Sequence, residues 1–167
     1  MIDGLHIGNI RSPTMDNLLW AKCSEGRLEE AREALKAGAN PNATDGGWIS
    51  STVTSCLMEA ARNNHIEVVD LLLSWPGIDV NAKDVEYNTA LHWACEGGSV
   101  ASLGKLLATP GLLLNERNIG GVTPIMRAIR LDSSDGTECV RMMAQVADVD
   151  LDIKDSKGRN LKEIANM

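Results

Sequence analysis

Four cysteines and three histidines are the side chains with nucleophilic or metal-ligating chemistry to offer, and twenty-three carboxylates add acid–base capacity. A zinc site needs four ligands converging on one point, yet Cys23, Cys56, Cys95 and Cys139 show no paired short spacing. His6, His65 and His92 are not set beside a nucleophile and a carboxylate in the manner of a hydrolytic triad. No GxxxxGKS/T or GxGxxG stretch is present to cradle a phosphate. These residues therefore predict no catalytic residue, no metal and no cofactor. Scattered cysteines predict reduced thiols and a cytoplasmic or nuclear protein.

Composition bounds the frame that would hold any site. A chain of 167 residues suits one compact domain or one short repeat array. Hydrophobic residues make up 44%, Phe is absent, and the aromatics are four Trp and one Tyr. The core must then come from Leu, Ala, Val, Ile and Met, as in packs of small helices. The net charge of −7 disfavours nucleic acid and anionic membranes and would steer a basic protein partner to the surface. No apolar run reaches the roughly 18–20 residues of a membrane span, and no signal peptide is visible. Residues 1–14 carry no helical period and read as a flexible tail or a non-native remnant outside the fold.

Spacing supplies the architecture. Leu57, Leu91 and Ile125 follow at 34-residue steps, as do Asn81 and Asn115. Leu19 precedes Leu57 by 38, and the longer step coincides with the Gly-, Ser- and Thr-rich residues 45–54. Units of about 33–34 residues, each a helix pair, are the signature of a stacked solenoid. Ile66, Val69, Leu72 and Leu73 form one apolar stripe that only stacked neighbours can bury. Small Ala60, Ala61, Ala94 and Ala128 let helices approach closely. Gly38 and Gly77 suit left-handed helix exits, and Pro124 suits a first helical turn. First helices are expected over 16–24, 55–63, 89–97 and 123–131, second helices over 28–37, 66–74, 100–108 and 137–146, and a last helix over 160–166. The units fall at about 15–43, 44–82, 83–117 and 118–154, with a partial cap at 155–167. Residues 132–136 are expected as extra linker in unit four, and Lys162 stands where Leu packs elsewhere.

Unit three reads Asn88-Thr89-Ala90-Leu91-His92-Trp93-Ala94-Cys95-Glu96-Gly97-Gly98, and unit four keeps Gly121-Val122-Thr123-Pro124-Ile125. Unit two keeps Leu57, Ala60-Ala61 and Asn64-His65-Ile66-Glu67-Val68-Val69; unit one keeps Gly38-Ala39-Asn40-Pro41-Asn42-Ala43. Over about 16–167 this pattern resembles the ankyrin-repeat family, with Ala90 in place of the usual Pro and Met126 in place of the usual His. The resemblance implies an all-α solenoid of helix-turn-helix units linked by β-hairpin-like loops. It implies a non-catalytic, monomeric protein–protein interaction module (a scaffold, adaptor or inhibitor) that binds through its concave face and hairpin tips. The alternative is a structural spacer within a longer repeat protein, without a specific site.

Carried onto this chain, the partner-binding positions are Glu59, Trp93 and Arg127 just after the motif histidine, and Arg62, Glu96 and Arg130 one turn on. At the hairpin tips they are Trp48, Ile49, Val85, Glu86, Tyr87, Asn88, Ile119 and Val122. Trp, Tyr and Arg are enriched among binding hot spots. Tyr87 stands where the motif has Gly, a departure from the turn chemistry that contact with a partner would explain. Trp93 equally suits a groove floor. His92 is expected to bond the opening turn at Thr89. Cys23 and Cys95 share the position that Ala61 fills and read as small core residues. Leu73 followed by Asp79-Val80-Asn81 matches the spacing that asparaginyl hydroxylases recognise in such repeats, which makes Asn81 a candidate acceptor; an Asn that bonds turn backbone explains it as well.

Overall fold

The computed structural model describes residues 14–46 and 53–165. Helices come in pairs: α1 (Met15–Ser24) with α2 (Leu28–Lys36), α3 (Cys56–Arg62) with α4 (Ile66–Leu73), α5 (Ala90–Gly97) with α6 (Val100–Leu107), and α7 (Pro124–Ile129) with α8 (Ser134–Ala144). A last helix, α9 (Leu161–Ala165), follows. The first helices α1, α3, α5, α7 and α9 stack in one layer, and α2, α4, α6 and α8 stack in a second. The chain is an all-α solenoid.

The apolar period is what the stack buries. Leu19, Leu57, Leu91 and Ile125 are all 2% exposed or less, and Ala60, Ala61, Ala94 and Ala128 are fully covered between helices. A methyl group at these sites lets neighbouring axes approach closely. Helices α1, α3, α5 and α7 each open on a hydroxyl: Thr14 Oγ1 accepts from Asn17 N at 3.2 Å and Ser55 Oγ from Met58 N at 3.4 Å, while Thr89 and Thr123 take the same place ahead of α5 and α7. Such a cap satisfies a backbone donor that the helix cannot. Thr14 thus belongs to the fold, one residue inside the expected tail; residues 1–13 lie outside the described residues. Gly38 and Gly77 take φ of +95° and +82° after α2 and α4, the left-handed exit that their spacing predicts.

Unit four departs from expectation. Its additional residues are not all linker: α8 starts at Ser134, three residues before the expected 137. Ser133 Oγ accepts from Gly136 N at 3.0 Å, and Asp135 lies in the first turn, where it favours the positive end of the helix dipole. Gly136 is tolerated inside the helix because a Cβ there would meet Leu131 O at 2.4 Å.

The repeats are tied by a ladder of asparagines. Asn42 Nδ2 donates to Gly77 O and its Oδ1 accepts from Asp79 N, both at 2.8 Å. Asn81 repeats this with Gly111 O and Leu113 N, both at 2.9 Å. Asn115 does so with Asp148 O at 2.7 Å and Asp150 N at 2.8 Å. No helix among the described residues is long and apolar enough to cross a membrane.

Candidate functional site

The face formed by the first helices gathers two rows of residues at 34-residue steps: Glu59, Trp93 and Arg127, then Arg62, Glu96 and Arg130. Arg62, Glu96 and Arg127 meet around Trp93. Its side chain is 7% exposed, with the Arg62 guanidinium 4.9 Å and the Arg127 guanidinium 5.8 Å from the ring centroid. Glu96 lies 3.9 Å from Arg62 and is also paired with Arg127. Cation–π contact and ion pairing therefore hold both arginines over the ring. Burial draws the Arg127 guanidinium below its ordinary pKa; Glu86 and Asp84 oppose this, while Arg130 and Arg62 add to it. Arg127 also donates to Asn88 Oδ1 at 2.8 Å. Glu59 is half-buried and accepts from Thr54 Oγ1 at 2.8 Å. Arg130 is exposed.

The hairpin tips beside this floor are apolar and open. Val85, Tyr87 and Ile119 are 52%, 54% and 67% exposed, and Ile119 N donates to Glu86 O at 2.9 Å, joining the two tips. Tyr87 has φ +64° at the turn position that Gly121 (φ +69°) and Gly158 (φ +76°) fill in the following hairpins. An L-residue in that region bears a steric cost of roughly 1–2 kcal/mol. The Lys83 ammonium lies 5.9 Å from the Tyr87 ring centroid. Glu86 is exposed. By contrast Asn88 and Val122 are buried, like Trp93; they build the face from beneath and expose little surface of their own. Trp48 and Ile49 lie outside the described residues.

Asp84, which the motif reading passed over, organises this region. Its carboxylate is buried. Oδ1 accepts from Glu86 N and Asn88 N at 2.8 Å, and Oδ2 accepts from Asn88 Nδ2 at 3.0 Å and Trp93 Nε1 at 3.1 Å. Asn118 and Asp155 repeat the device: Asn118 Oδ1 accepts from Val122 N at 2.9 Å, and Asp155 Oδ1 from Arg159 N at 3.0 Å. Arg159 holds the Asp155 carboxyl down to a pKa of about 2. The same repeat counting that found Leu57 and Leu91 would have found Asp84 and Asn118, since they too are 34 apart.

His92 does what its place in the motif implies. Its Nδ1 accepts from Thr89 N at 3.1 Å and lies 3.0 Å from Thr89 Oγ1, while Nε2 is 3.0 Å from Val122 O in the next repeat. Burial lowers its pKa to about 4. The four cysteines are free and buried. A hydrogen bond from Cys23, then burial, pushes the Cys56 thiol up; burial raises Cys95, and burial with Asp135 and Glu138 nearby takes Cys139 to about 11. Protonated, covered thiols of this kind are poor nucleophiles. Asn81 is half-buried, with both ends of its amide engaged by the next repeat as described above.

Residues 57–155 match the family model for ankyrin repeats in three copies, and residues 19–73 match a second one for ankyrin repeats in many copies. The chain belongs to the ankyrin-repeat family. Ankyrin repeats are generally protein–protein interaction modules without catalysis. Among similar proteins, human SMC5-SMC6 complex localization factor protein 1 is 37% identical over 75 residues, 45% of this chain and 7% of that protein. Alpha-latrotoxin-Lg1a of Latrodectus geometricus is 38% identical over 72 residues, 42% of this chain and 5% of the toxin. Ankyrin repeat and KH domain-containing protein mask-1 of Caenorhabditis elegans is 29% identical over 147 residues, 87% of this chain and 5% of its own length. The chain thus spans less than a tenth of the length of each of these relatives.

Proposed function

We propose that this ankyrin-repeat chain is a non-catalytic module that binds a partner protein through the concave floor around Trp93 and the hairpin tips above it. Tyr87 carries the reading. A half-exposed aromatic is kept in a left-handed conformation that neighbouring hairpins assign to glycine, and its ring meets the Lys83 ammonium at the rim of the tip. Val85 and Ile119 extend the apolar surface, and Arg62, Glu96 and Arg130 supply charged groups beside it. Backbone strain retained at a surface site is characteristic of binding positions.

The test is affinity capture with the parent chain and with a variant combining Val85→Ser, Tyr87→Gly and Ile119→Ser. Tyr87→Gly should leave the fold as stable or more so, since it removes the strain. A partner held by the parent and lost by the variant supports the reading; equal capture by both refutes the site, and no specific capture favours the spacer alternative. Asn81 is carried as a candidate hydroxylation acceptor. Its two bonds to the next repeat must open before an enzyme can reach it, and an intact mass without added oxygen after co-expression with an asparaginyl hydroxylase removes it.

A further inference from the structure

Two of the four free cysteines face each other between the first two units. Cys23 lies one helical turn after Leu19 in α1, and Cys56, the first residue of α3, lies one before Leu57. In the same register the next two interfaces between units hold Ala61 with Ala90, and Cys95 with Pro124. Of these three interfaces only the first sets a cysteine opposite a cysteine.

The structure brings the pair together. Helices α1 and α3 pack against each other, both side chains are fully buried, and their thiols share a hydrogen bond. The backbone is held at each end: Gly26 N donates to Cys23 O at 3.3 Å, and Cys56 N donates to Ala43 O at 3.0 Å. Ala61 and Ala90, buried at the same two positions of the next interface, are small enough to let such helices lie close. A disulfide needs that closeness, because it spans a Cβ–Cβ separation of only about 3.5–4.5 Å.

We propose that Cys23 and Cys56 are a redox-active pair, which a peroxide converts to a disulfide that staples unit one to unit two. Neither sulfur meets solvent in the closed fold, so the oxidant enters when α1 parts from α3. A thiolate of the pair then attacks one oxygen of hydrogen peroxide. The O–O bond breaks, a sulfenic acid forms, and the released hydroxide takes up the proton lost by the thiol and leaves as water. When the helices close again, the second sulfur attacks the sulfenic sulfur. The S–OH bond breaks, and the hydroxide leaves with the second thiol proton as another water. Two thiols and one peroxide thus become one disulfide and two waters, with two electrons passing from sulfur to oxygen. Closure makes the second step intramolecular, which favours the disulfide over further oxidation. The pair does not depend on the concave-face binding.

The full chain is treated with hydrogen peroxide at about pH 8, near the ordinary thiol pKa. Remaining thiols are blocked with iodoacetamide in urea, and the intact mass and a non-reducing digest are read. The parent should lose two hydrogens and yield a peptide linking Cys23 to Cys56, with Cys95 and Cys139 alkylated, and dithiothreitol should reverse the change. Urea unfolding should place the linked chain at least about 30-fold further toward the folded state than the reduced chain, since the link closes a loop across 33 positions. Cys23→Ala and Cys56→Ala should each fold, because alanine fills both positions in the next interface, and each should leave its remaining cysteine as a sulfenic acid that dimedone captures. Oxidised sulfur at Cys23 or Cys56 of the parent without a link between them, a link confined to other cysteines, or covalent dimers overturns the proposal. So does a link that lowers the urea midpoint, or four free thiols after peroxide treatment at the unfolding midpoint, where opening is frequent.

Discussion

Lowering the pH from 6.5 to 5 should cost this protein about 2 kcal/mol through His92 alone, at about 1.36 kcal/mol per pKa unit over 1.5 units. The imidazole is fully covered, its Nδ1 is filled by the Thr89 N–H, and burial holds its pKa at about 4 against an ordinary 6.5. A proton added at Nδ1 would point at that N–H. As pH falls through 6.5 the unfolded chain takes up the proton, and the folded chain does so only near 4. Between those values the unfolded state binds more protons, so stability rises with pH; it is fully present above 6.5 and lost toward 4. The whole span of 2.5 units amounts to about 3 kcal/mol. Urea unfolding followed by Trp fluorescence at pH 7.5, 6.5, 5.5 and 5.0 measures it, with His92→Met as the reference. Met126 fills the equivalent place in α7 and is fully buried, so Met should fit. At pH 7.5 the variant should be less stable by about 1–2 kcal/mol, because Thr89 N and Val122 O lose a partner. The gap should close by about 2 kcal/mol between pH 6.5 and 5, since carboxylate titration is common to both proteins and cancels. Parallel pH profiles for parent and variant would refute the reasoning.

Asp84→Ala should lower stability by about 3 kcal/mol, because hydrogen bonds to a charged acceptor contribute ~1.5–3 kcal/mol each and do not add fully. Urea unfolding reads the loss, and the near-UV dichroism of Trp93 should weaken with it; an unchanged midpoint would show that the carboxylate is dispensable. Asn81→Ala should cost about 1–2 kcal/mol by cutting the two bonds to the next repeat; a cost below about 0.5 kcal/mol would remove the ladder from the account of stacking. Cys56, Cys95 and Cys139, buried and raised in pKa, should react with a disulfide reagent at pH 8 no faster than the chain opens. Immediate labelling of native protein would contradict their core placement.

Much of the fold was legible because the repeat imposes one constraint several times. Leu57, Leu91 and Ile125 announce the first helices at equal steps, and α2, α4 and α6 start at their expected residues, 28, 66 and 100. Unit four broke the pattern. A count of residues cannot distinguish a longer linker from a longer helix; the choice turned on Ser133, whose hydroxyl is a cap only if residue 134 is already helical. The sequence contains that signal, a Ser with an Asp two residues on, but repeat spacing overrode it.

The face proposed for binding was legible as a set of repeat positions, and the bonds among its side chains were not. Trp93, Arg62, Glu96 and Arg127 fall at repeat positions, and positions alone treat them as parallel contacts. The structure shows a hierarchy: Asp84 fixes the indole N–H, the indole carries two guanidiniums, and Glu96 links them. Bonds between residues 9 and 34 positions apart set this order, and it depends on which side chain reaches which neighbour. Net charge misleads in the same way. A total of −7 favours a basic partner at long range, where the whole field steers encounter. At contact distance screening cuts that field to about 8–10 Å, and the groups met on the proposed face are Arg62 and Arg130 with Glu86 and Glu96 among them. Long-range steering follows the total and close-range selection follows this mixed surface, so the partner's local charge should be read from these residues and not from the total.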